Sequence, residues 1–392
     1  MKKLYKDKNF CSICSSENLK RVIELKKFPL TGIFIKKKIR KNFPYYFNQG
    51  LNICNKCGHL QLAKFVSPEI LYNNIYANRT SESFLSDNAI NFFKKFLFKV
   101  LKKKKLNGLL EIGCNDIKLI ENLKNNFSYL YGIDPIWHKK EAPKGKKINV
   151  IGGYVENVNL KKVNKKIDVI VSTHNLEHID DPFGVLKKFI DNFGEDVTFF
   201  IEVPDSDLMI KNLRFDQIFH QHYHYFNMNS LQNLTRRLGC KIISKSINYK
   251  FWGGSLMVAF KKDKNITKKI FNNSKKINKN INSNYKRFKN RLNKLSHKLK
   301  NEKNLIGYGA GQMVPSFSYH LNNNLSFLEY IVDDNKNRAY KKYPNLVPKI
   351  KYFNKRLIKN KKVLITALDG VNGIGKKLNK LNVEFYNPLS NV

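Results

Sequence analysis

Residues 109–123 have the sequence LLEIGCNDIKLIENL, and this stretch decides the fold of the central part of the chain. A strand-like run ends with Glu111 and Ile112, Gly113 follows at once, and apolar residues then recur at helical spacing. The pattern predicts a buried β-strand, a tight turn and an α-helix. Nucleotide cofactors bind at such turns, where glycine lets the backbone approach them closely. Glu111, Gly113 and Asn115 are therefore candidate cofactor contacts.

Two further predicted strands end near this turn. YGIDP ends a strand on Asp134, twenty-one residues after Gly113, which is the spacing typical of an acid that binds ribose hydroxyls. KIDVIVSTHNLEHIDDP predicts another strand, whose polar end offers Asn175, Glu177 and His178. The order and spacing favour a crevice for S-adenosylmethionine (SAM), as in methyltransferases. An NAD-dependent dehydrogenase is the alternative, which the missing G-x-G-x-x-G motif disfavours.

Strand-like and helical runs alternate from residue 106 to about residue 260. The last strand-like runs are DVTFFIEVP, KIISKSI and SLMVAF. Alternation of this kind is typical of a doubly wound α/β sheet. We expect a class I methyltransferase domain over residues 67–260, with a helical segment at its start and two antiparallel edge strands at its end.

Four of the six cysteines form two C-x2-C pairs, Cys11 with Cys14 and Cys54 with Cys57. Each pair can place two thiolates on one tetrahedral ion, and four thiolates leave no open position for a reaction. We therefore predict a structural zinc ion (Zn²⁺) in an N-terminal module of residues 1–66. A redox pair or another metal is the alternative.

Residues 261–304 are rich in Lys and Asn and carry apolar residues at roughly helical spacing. This pattern predicts a long exposed helix that links two halves of the chain, with a disordered linker as the alternative. Residues 305–392 begin with a strand-like run and the Gly-rich IGYGAGQ, and further strand-like runs follow. We expect a C-terminal Rossmann-like α/β domain. Its loop suits a phosphate, although a purely structural turn is possible.

The composition limits the choice of partners. The formal net charge is +43, but the Lys excess is spread over the whole 392-residue chain and accompanied by many Asn, which indicates compositional drift rather than a nucleic-acid surface. We expect no nucleic-acid partner, although phosphorylated substrates should be attracted. No apolar run has the length of a membrane span or a signal peptide. We therefore expect a cytoplasmic protein without membrane insertion; its oligomeric state is left open.

Several further segments carry a family resemblance. They are CNKCGHLQLAKFVSPEILYNNIY, EIGCND, GIDP, FDQIFHQHYHYFNMNSLQNL, WGGSLMVAF, IGYGAGQ and YIVDDN. With them the chain resembles the sugar C-methyltransferase family, whose members methylate C3 of nucleotide-linked 4-keto-6-deoxysugars. The resemblance implies a SAM-dependent enzyme acting on a nucleotide-linked keto-sugar in surface polysaccharide biosynthesis. It also implies that the C-terminal domain holds the nucleotide part of the substrate.

The histidine segment carries the implied catalytic residues. The family has Tyr-His-Glu-His where this chain has Phe219, His220, Gln221 and His222, and the resemblance makes His222 the base that removes the C3 proton. A neutral imidazole suits this step, because a 4-keto group acidifies the neighbouring C–H bond. Without the resemblance, the alternating histidines could equally be the polar face of a strand or a fortuitous metal site. The other candidates from the resemblance are Tyr76 for catalysis and Tyr225, Gly307, Gly309, Gly311 and Asp333 for substrate.

The chain departs from the family pattern at several positions. Besides Phe219 and Gln221, Asn78 replaces the second Tyr of a Tyr-x-Tyr pair and Ile117 stands where the cofactor loop usually has Gly. These changes keep two alternatives open. One is a diverged relative that methylates a sugar oxygen or has lost methyl transfer. The other is an RNA-binding or RNA-modifying protein that uses the zinc module and the positive charge.

Overall fold

The structure is a computed structural model and describes residues 4–36, 43–72, 86–102, 106–138, 140–267 and 269–390. Its N-terminal module contains the strands β1 (Tyr5–Asp7), β2 (Leu19–Pro29), β3 (Tyr46–Cys54), β4 (Leu60–Leu62) and β5 (Lys64–Val66). β1 pairs with β5, and β2, β3 and β4 form an antiparallel meander. The short α1 (Pro68–Leu71) follows.

The central domain has a doubly wound sheet. Its elements up to the histidine segment are α2 (Ser86–Leu101), β6 (Leu106–Ile112), α3 (Lys118–Leu123), β7 (Phe127–Asp134), β8 (Ile148–Gly152), β9 (Val169–Thr173), α4 (Pro182–Phe193), β10 (Thr198–Pro204) and α5 (Ser206–Lys211). Those that follow are β11 (His224–Tyr225), α6 (Met228–Arg237), β12 (Cys240–Asn248) and β13 (Ser255–Lys262). Seven strands are ordered β12-β13-β10-β9-β6-β7-β8, which confirms the predicted fold class.

Helices cover both faces of this sheet. On β6, Leu110 and Ile112 join the core that contains α4 and α6, whereas Leu109 joins the core that contains α2 and α3. Alternate side chains of a strand point to opposite faces, so a strand buried on both sides has an almost continuous apolar sequence. β13 lies between β10 and β12 and is antiparallel to both. Of the two strands predicted at the edge, β12 is the edge strand, whereas β13 is its antiparallel neighbour and lies one position inside the sheet.

The histidine segment of the central domain joins the N-terminal sheet. β11 pairs antiparallel with β4, with His224 opposite Gln61 and Tyr225 opposite Leu60. The backbone groups of the edge strand β4 are thereby satisfied by a segment that follows it by about 160 residues. Because of this pairing, the predicted boundary near residue 66 does not separate two independent sheets.

The C-terminal domain follows a long helix, α7 (Ser274–Lys300). One face of α7 is buried in a core shared with the N-terminal module and the C-terminal domain, for example through Phe288 and Leu292. The predicted exposed helix is thus a packed one, because its apolar stripe needs a partner surface. The remaining elements are β14 (Leu305–Tyr308), α8 (Val314–His320), β15 (Ile331–Asp333), β16 (Ile350–Tyr352), α9 (Lys355–Ile358), β17 (Lys362–Ile365), α10 (Val371–Lys380) and β18 (Phe385–Tyr386).

The C-terminal strands form one parallel sheet in the order β16-β15-β14-β17-β18. This is the arrangement of a Rossmann-like half, and the predicted domain type is confirmed. Among the described residues, no helix combines the length and the apolarity needed to cross a bilayer.

Candidate active site

The turn after β6 fits only a glycine at its centre. Gly113 has φ +77°, and a Cβ atom there would lie 2.3 Å from Cγ of Asn175. The N–H of Gly113 donates to the carbonyl of Ile133 on β7, at 2.8 Å, which fixes the turn against the neighbouring strand. The two strand ends predicted to meet, those of β6 and β9, are therefore in direct contact here.

Asp134 at the end of β7 organises the rim of the same turn. Its two carboxylate oxygens accept backbone N–H groups of Asn115 and Ile136, each at 2.9 Å. Asn115 Oδ1 and Asn175 Nδ2 are buried and have no hydrogen-bond partner among the described residues. Because buried polar groups need partners, these orphaned atoms fit the amino and carboxylate groups at the methionine end of SAM. The predicted cofactor residues Gly113, Asn115, Asp134 and Asn175 line one crevice.

Glu111 lies beneath this turn and does not line the crevice. Burial raises the pKa of its carboxyl well above the usual range, and the nearby charge of Asp134 adds to this effect. The side chain is enclosed by the sheet, and its Oε2 is buried with no hydrogen-bond partner among the described residues, so the cofactor contact of Glu111 stays a prediction.

Ile117 adopts a left-handed backbone conformation at the start of α3, with φ +59°. A β-branched residue is strained there, which explains why glycine is usual at this position. Its side chain is buried in the core beneath α2 and does not line the crevice. The substitution therefore leaves the cofactor space open.

His222 faces the crevice from the histidine segment. Its Nε2 lies 3.8 Å from Oε1 of Glu177, and its ring lies 4.1 Å from the ring of Phe219 and 5.7 Å from that of Trp252, measured between centroids. Burial lowers the pKa of His222 well below its usual range, and His178 nearby adds to this effect. The imidazole is therefore neutral at physiological pH.

Two acidic residues and a histidine surround this position from the strand ends. His174 lies between Glu177 and Glu202, at 3.6 and 3.5 Å from their carboxylate oxygens. Burial alone would lower the pKa of His174, but its interactions with the two carboxylates outweigh burial and raise the pKa to about 10. Glu202 was missed in the sequence, although it lies near the end of the run FFIEVP, where ligand-binding residues of such sheets are found. Trp252, in the WGG segment, was missed as well.

His220 and Gln221 point away from the crevice, which corrects their predicted catalytic role. The ring of His220 is fully buried and stacks on Phe28, with centroids 5.3 Å apart. The side chain of Gln221 bonds to Thr31 of the N-terminal module. Neighbouring side chains diverge here because the segment is a turn whose opposite sides meet different domains.

Tyr225, a predicted substrate contact, does not line the crevice. The hydroxyl of Tyr225 accepts the N–H of Phe219 at 3.1 Å, so this side chain holds the turn rather than substrate. Tyr76 and Asn78 lie outside the described residues.

The Gly-rich loop of the C-terminal domain contributes one of its three predicted glycines. Gly309 has φ +97° and lines the crevice. Gly307 lies inside β14, where a Cβ would be 2.8 Å from Ile331, and Gly311 packs near Ala367. The prediction of substrate contacts is thus wrong for these two glycines, because their small size serves packing.

Asp333 lies at the end of β15 and fixes the Gly-rich loop. Its Oδ2 accepts the N–H of Ala310 at 2.6 Å, and the residue also lines the crevice. Three cationic side chains not singled out in the sequence are nearby: Lys336, Arg338 and Lys377. The sequence offered no signal for them, because Lys is abundant throughout the chain.

The loops of all three parts of the chain enclose one crevice of about 2300 Å³. Pockets for a single small molecule typically measure about 300–1,000 Å³. The crevice is therefore large enough for a cofactor and a second molecule side by side.

The four paired cysteines come together as predicted. Cys11 Sγ lies 3.6 Å from Cys57 Sγ, Cys14 Sγ lies 3.6 Å from Cys54 Sγ, and all four sulfurs lie within 4.8 Å of one another. Sulfur atoms on a tetrahedral zinc ion, with bonds of about 2.3 Å, are about 3.8 Å apart. The cluster therefore fits a closed structural zinc site.

Comparison with known proteins agrees with these features. Residues 83–245 match a family model described as "Methyltransferase domain", and residues 11–72 match one described as "Putative zinc binding domain". The chain is 22% identical to the C-methyltransferase NovU of Streptomyces niveus over 254 residues, which is 63% of this chain and 59% of that relative. The matched part thus spans less than two thirds of the relative's length.

Two solved structures also resemble part of the chain. One is a SAM-dependent methyltransferase from Clostridium acetobutylicum, with TM-score 0.35 and 12% identity over 46% of this chain and 93% of that one. The other is the N-methyltransferase NodS from Bradyrhizobium japonicum in complex with S-adenosylhomocysteine, with TM-score 0.36 and 10% identity over 46% and 89%.

The strand order, the Gly113 turn and the matched family model define the class: the central domain is a class I, SAM-dependent methyltransferase domain. Beside this domain, the chain carries a match to a zinc-binding domain and is similar to a C-methyltransferase, which agrees with the resemblance to sugar C-methyltransferases noted in the sequence.

Proposed function

We propose that this protein transfers a methyl group from SAM to C3 of a nucleotide-activated 4-keto-deoxysugar, in the biosynthesis of a surface polysaccharide. One observation carries the proposal: the Gly113 turn, His222 and Gly309 line the same crevice. The cofactor site, a neutral base and the C-terminal domain thus border one space.

His222 is the proposed base. Its neutral imidazole takes the proton from C3, and the electron pair of the C–H bond forms the enolate of the 4-keto sugar. When bound, SAM would supply an electrophilic methyl group: the enolate carbon would form the new C–C bond as the S–CH3 bond breaks and S-adenosylhomocysteine leaves. Glu177, at 3.8 Å, stabilises the imidazolium that the proton transfer creates. A positioned base of this kind contributes about 10²–10⁴ in rate.

The walls of the crevice support a deoxysugar nucleotide as substrate. Phe219 and Trp252 stack with centroids 6.3 Å apart and present apolar surface beside His222, which suits the methyl group of a 6-deoxysugar. Further along, Lys336, Arg338 and Lys377 carry positive charge for a diphosphate, which would replace the pairing of Arg338 with Asp333 and of Lys377 with Asp334. A bound nucleotide would therefore leave its sugar close to the base.

The proposal is tested by solvent deuterium exchange at C3, measured by NMR with a panel of nucleotide-linked 4-keto-6-deoxyhexoses. We expect one member to exchange with the wild type, and we expect His222→Asn to lower the rate at least 100-fold. His297→Asn is the matched control, since His297 is exposed on α7. Unchanged exchange in His222→Asn would overturn the assignment of the base.

The position of the transferred methyl group gives a second readout. With SAM present, we expect a product whose new methyl carbon is bonded to C3. A methyl group on oxygen would instead identify the diverged O-methyltransferase.

A further inference from the structure

Three side chains with metal-binding atoms face one another in the crevice. Oε1 of Glu177 lies 3.9 Å from Nε2 of His178 and 3.8 Å from Nε2 of His222. One ligand atom from each residue lies within 4.8 Å of the other two, and all three residues line the crevice. We call these three residues the Glu–His–His cluster.

The orientation of His178 leaves one of its nitrogens available. Nδ1 lies 2.7 Å from the backbone carbonyl oxygen of Gln221. A carbonyl oxygen can only accept a hydrogen bond, so Nδ1 carries the proton and Nε2 carries a lone pair. Metal-binding histidines are commonly oriented in this way, by donating their other N–H to a backbone carbonyl. The available lone pair is on the nitrogen that lies near Glu177.

Glu177 is a buried carboxylate whose charge is partly balanced by His174 at 3.6 Å. Its side chain is 1% exposed, and neither oxygen accepts a hydrogen bond from the part of the chain that the structure describes. Ring nitrogens of His174, His178 and His222 lie 3.6 to 3.9 Å from Oε1 of Glu177. The contact with His174 leaves the hydrogen-bonding capacity of both oxygens unused, and a cation between Oε1 and the nitrogens of His178 and His222 would satisfy it.

We propose that the Glu–His–His cluster is a second metal site, which takes a divalent transition ion such as zinc. Two imidazoles and one carboxylate are a donor set that zinc and its neighbours prefer. With bonds of about 2.1 Å, tetrahedral ligand atoms lie about 3.4 Å apart. Each histidine nitrogen must therefore approach Oε1 of Glu177 by about half an ångström, and the two histidine ligand atoms, which lie within 4.8 Å of each other, must approach by about 1.4 Å at most. Three protein ligands leave the fourth position open to the crevice.

The site has a consequence for catalysis that rests on the proposed function. The lone pair on Nε2 of His222 can accept the substrate proton or bind the ion, but not both. A metal ion in the cluster therefore inhibits proton abstraction, whereas the ion in the cysteine cluster has no such effect.

The metal content of the purified protein tests the site without any substrate. After dialysis against excess Zn²⁺ and removal of free metal, we expect two zinc ions per chain in the wild type and one in Glu177→Gln and in His178→Asn. His297→Asn, on the exposed face of α7, should keep two. One ion in the wild type, or two in all variants, would overturn the proposal.

Two controls separate loss of the site from misfolding. Replacement of zinc by Co²⁺ should give thiolate charge-transfer absorption of equal intensity in the wild type and in Glu177→Gln, because the cysteine cluster is unchanged. SAM binding by calorimetry should likewise stay within threefold. If either control fails, His178→Asn replaces Glu177→Gln as the deciding variant.

A kinetic experiment tests the predicted inhibition separately from the number of zinc ions bound. Filling the second site in the wild type should lower C3 deuterium exchange at least tenfold, and a chelator that removes only this ion should restore it. Exchange that persists with two ions bound would overturn the inhibition. If no sugar nucleotide exchanges under any condition, the proposed function fails while the metal count still decides the site.

Discussion

Gln221 and Thr31 are joined by two hydrogen bonds across 190 residues of sequence. Thr31 Oγ1 donates to Gln221 Oε1 at 3.0 Å, and Gln221 Nε2 donates to the carbonyl oxygen of Thr31 at 3.0 Å. Both residues are buried. The pair anchors the turn that carries His222 to the N-terminal module, so Gln221 acts through position rather than through contact with substrate.

We predict that Gln221→Ala destabilises the fold by about 2–4 kcal/mol, because two buried hydrogen bonds are lost and Thr31 is left without partners. Denaturant unfolding measures this. Gln221→Glu should not restore stability, since a carboxylate cannot donate to the Thr31 carbonyl. Deuterium exchange by the folded fraction should fall far less than in His222→Asn. A fully stable Gln221→Ala protein with abolished exchange would contradict the anchoring role.

A second prediction concerns His220, which stacks on Phe28 and has no hydrogen-bond partner for either ring nitrogen among the described residues. His220→Leu should stabilise the protein by about 1–2 kcal/mol at pH 7.5, because an unpaired buried polar group is removed. Equilibrium unfolding measures the change, and proton exchange of the substrate should continue. Loss of exchange with an intact fold would return His220 to the catalytic residues.

The same residue makes stability depend on pH. Burial lowers the pKa of His220 to about 3, against about 6.5 in the unfolded chain. Between these values the unfolded state binds a proton that the folded state does not, so stability is lost as the pH falls from 6.5 towards 3. The loss is about 1.4 kcal/mol per pH unit. Unfolding at pH 7.5, 6.0 and 5.0 should therefore show a shallower decline in His220→Leu than in the wild type.

Local spacing was enough to predict much of the fold and part of the site. Each of Gly113, Asp134 and Asn175 lies at or just after a strand end, and the carboxyl ends of parallel strands meet at one edge of a sheet. The cysteine pairs were equally clear, because two thiolates three residues apart can reach one ion.

The remaining features depend on contacts between distant segments. The directions of His220, Gln221 and His222 are set by Phe28, Thr31 and the crevice, so their short spacing carried no such information. The burial of α7 likewise depends on surfaces from two other parts of the chain. Motif position alone could not show which of these residues face the substrate.

The cysteine cluster gives a further prediction. Cys57→Ser should lose zinc and loosen the N-terminal module, since structural zinc supplies on the order of 10 kcal/mol. The effect should reach α6, where Asn229 Nδ2 donates to the carbonyl of Cys57 at 2.7 Å. Zinc content and limited proteolysis measure both effects. Cys240→Ser is the matched control, because Cys240 is buried but lies outside the cluster. A zinc-free Cys57→Ser protein with wild-type stability would refute a structural role.

Ile117 gives the last prediction, because its strain and its burial have opposite effects. Ile117→Gly removes a left-handed strain of roughly 1–2 kcal/mol but also deletes a buried side chain, and such deletions cost about 2–5 kcal/mol. We therefore expect a net loss of about 1–3 kcal/mol in the free energy of unfolding. SAM affinity by calorimetry should change less than threefold, because Ile117 does not line the crevice. Ile117→Asn, which tolerates this backbone conformation, serves as the comparison. A tenfold gain in SAM affinity in the glycine variant would show instead that Ile117 restricts the cofactor loop.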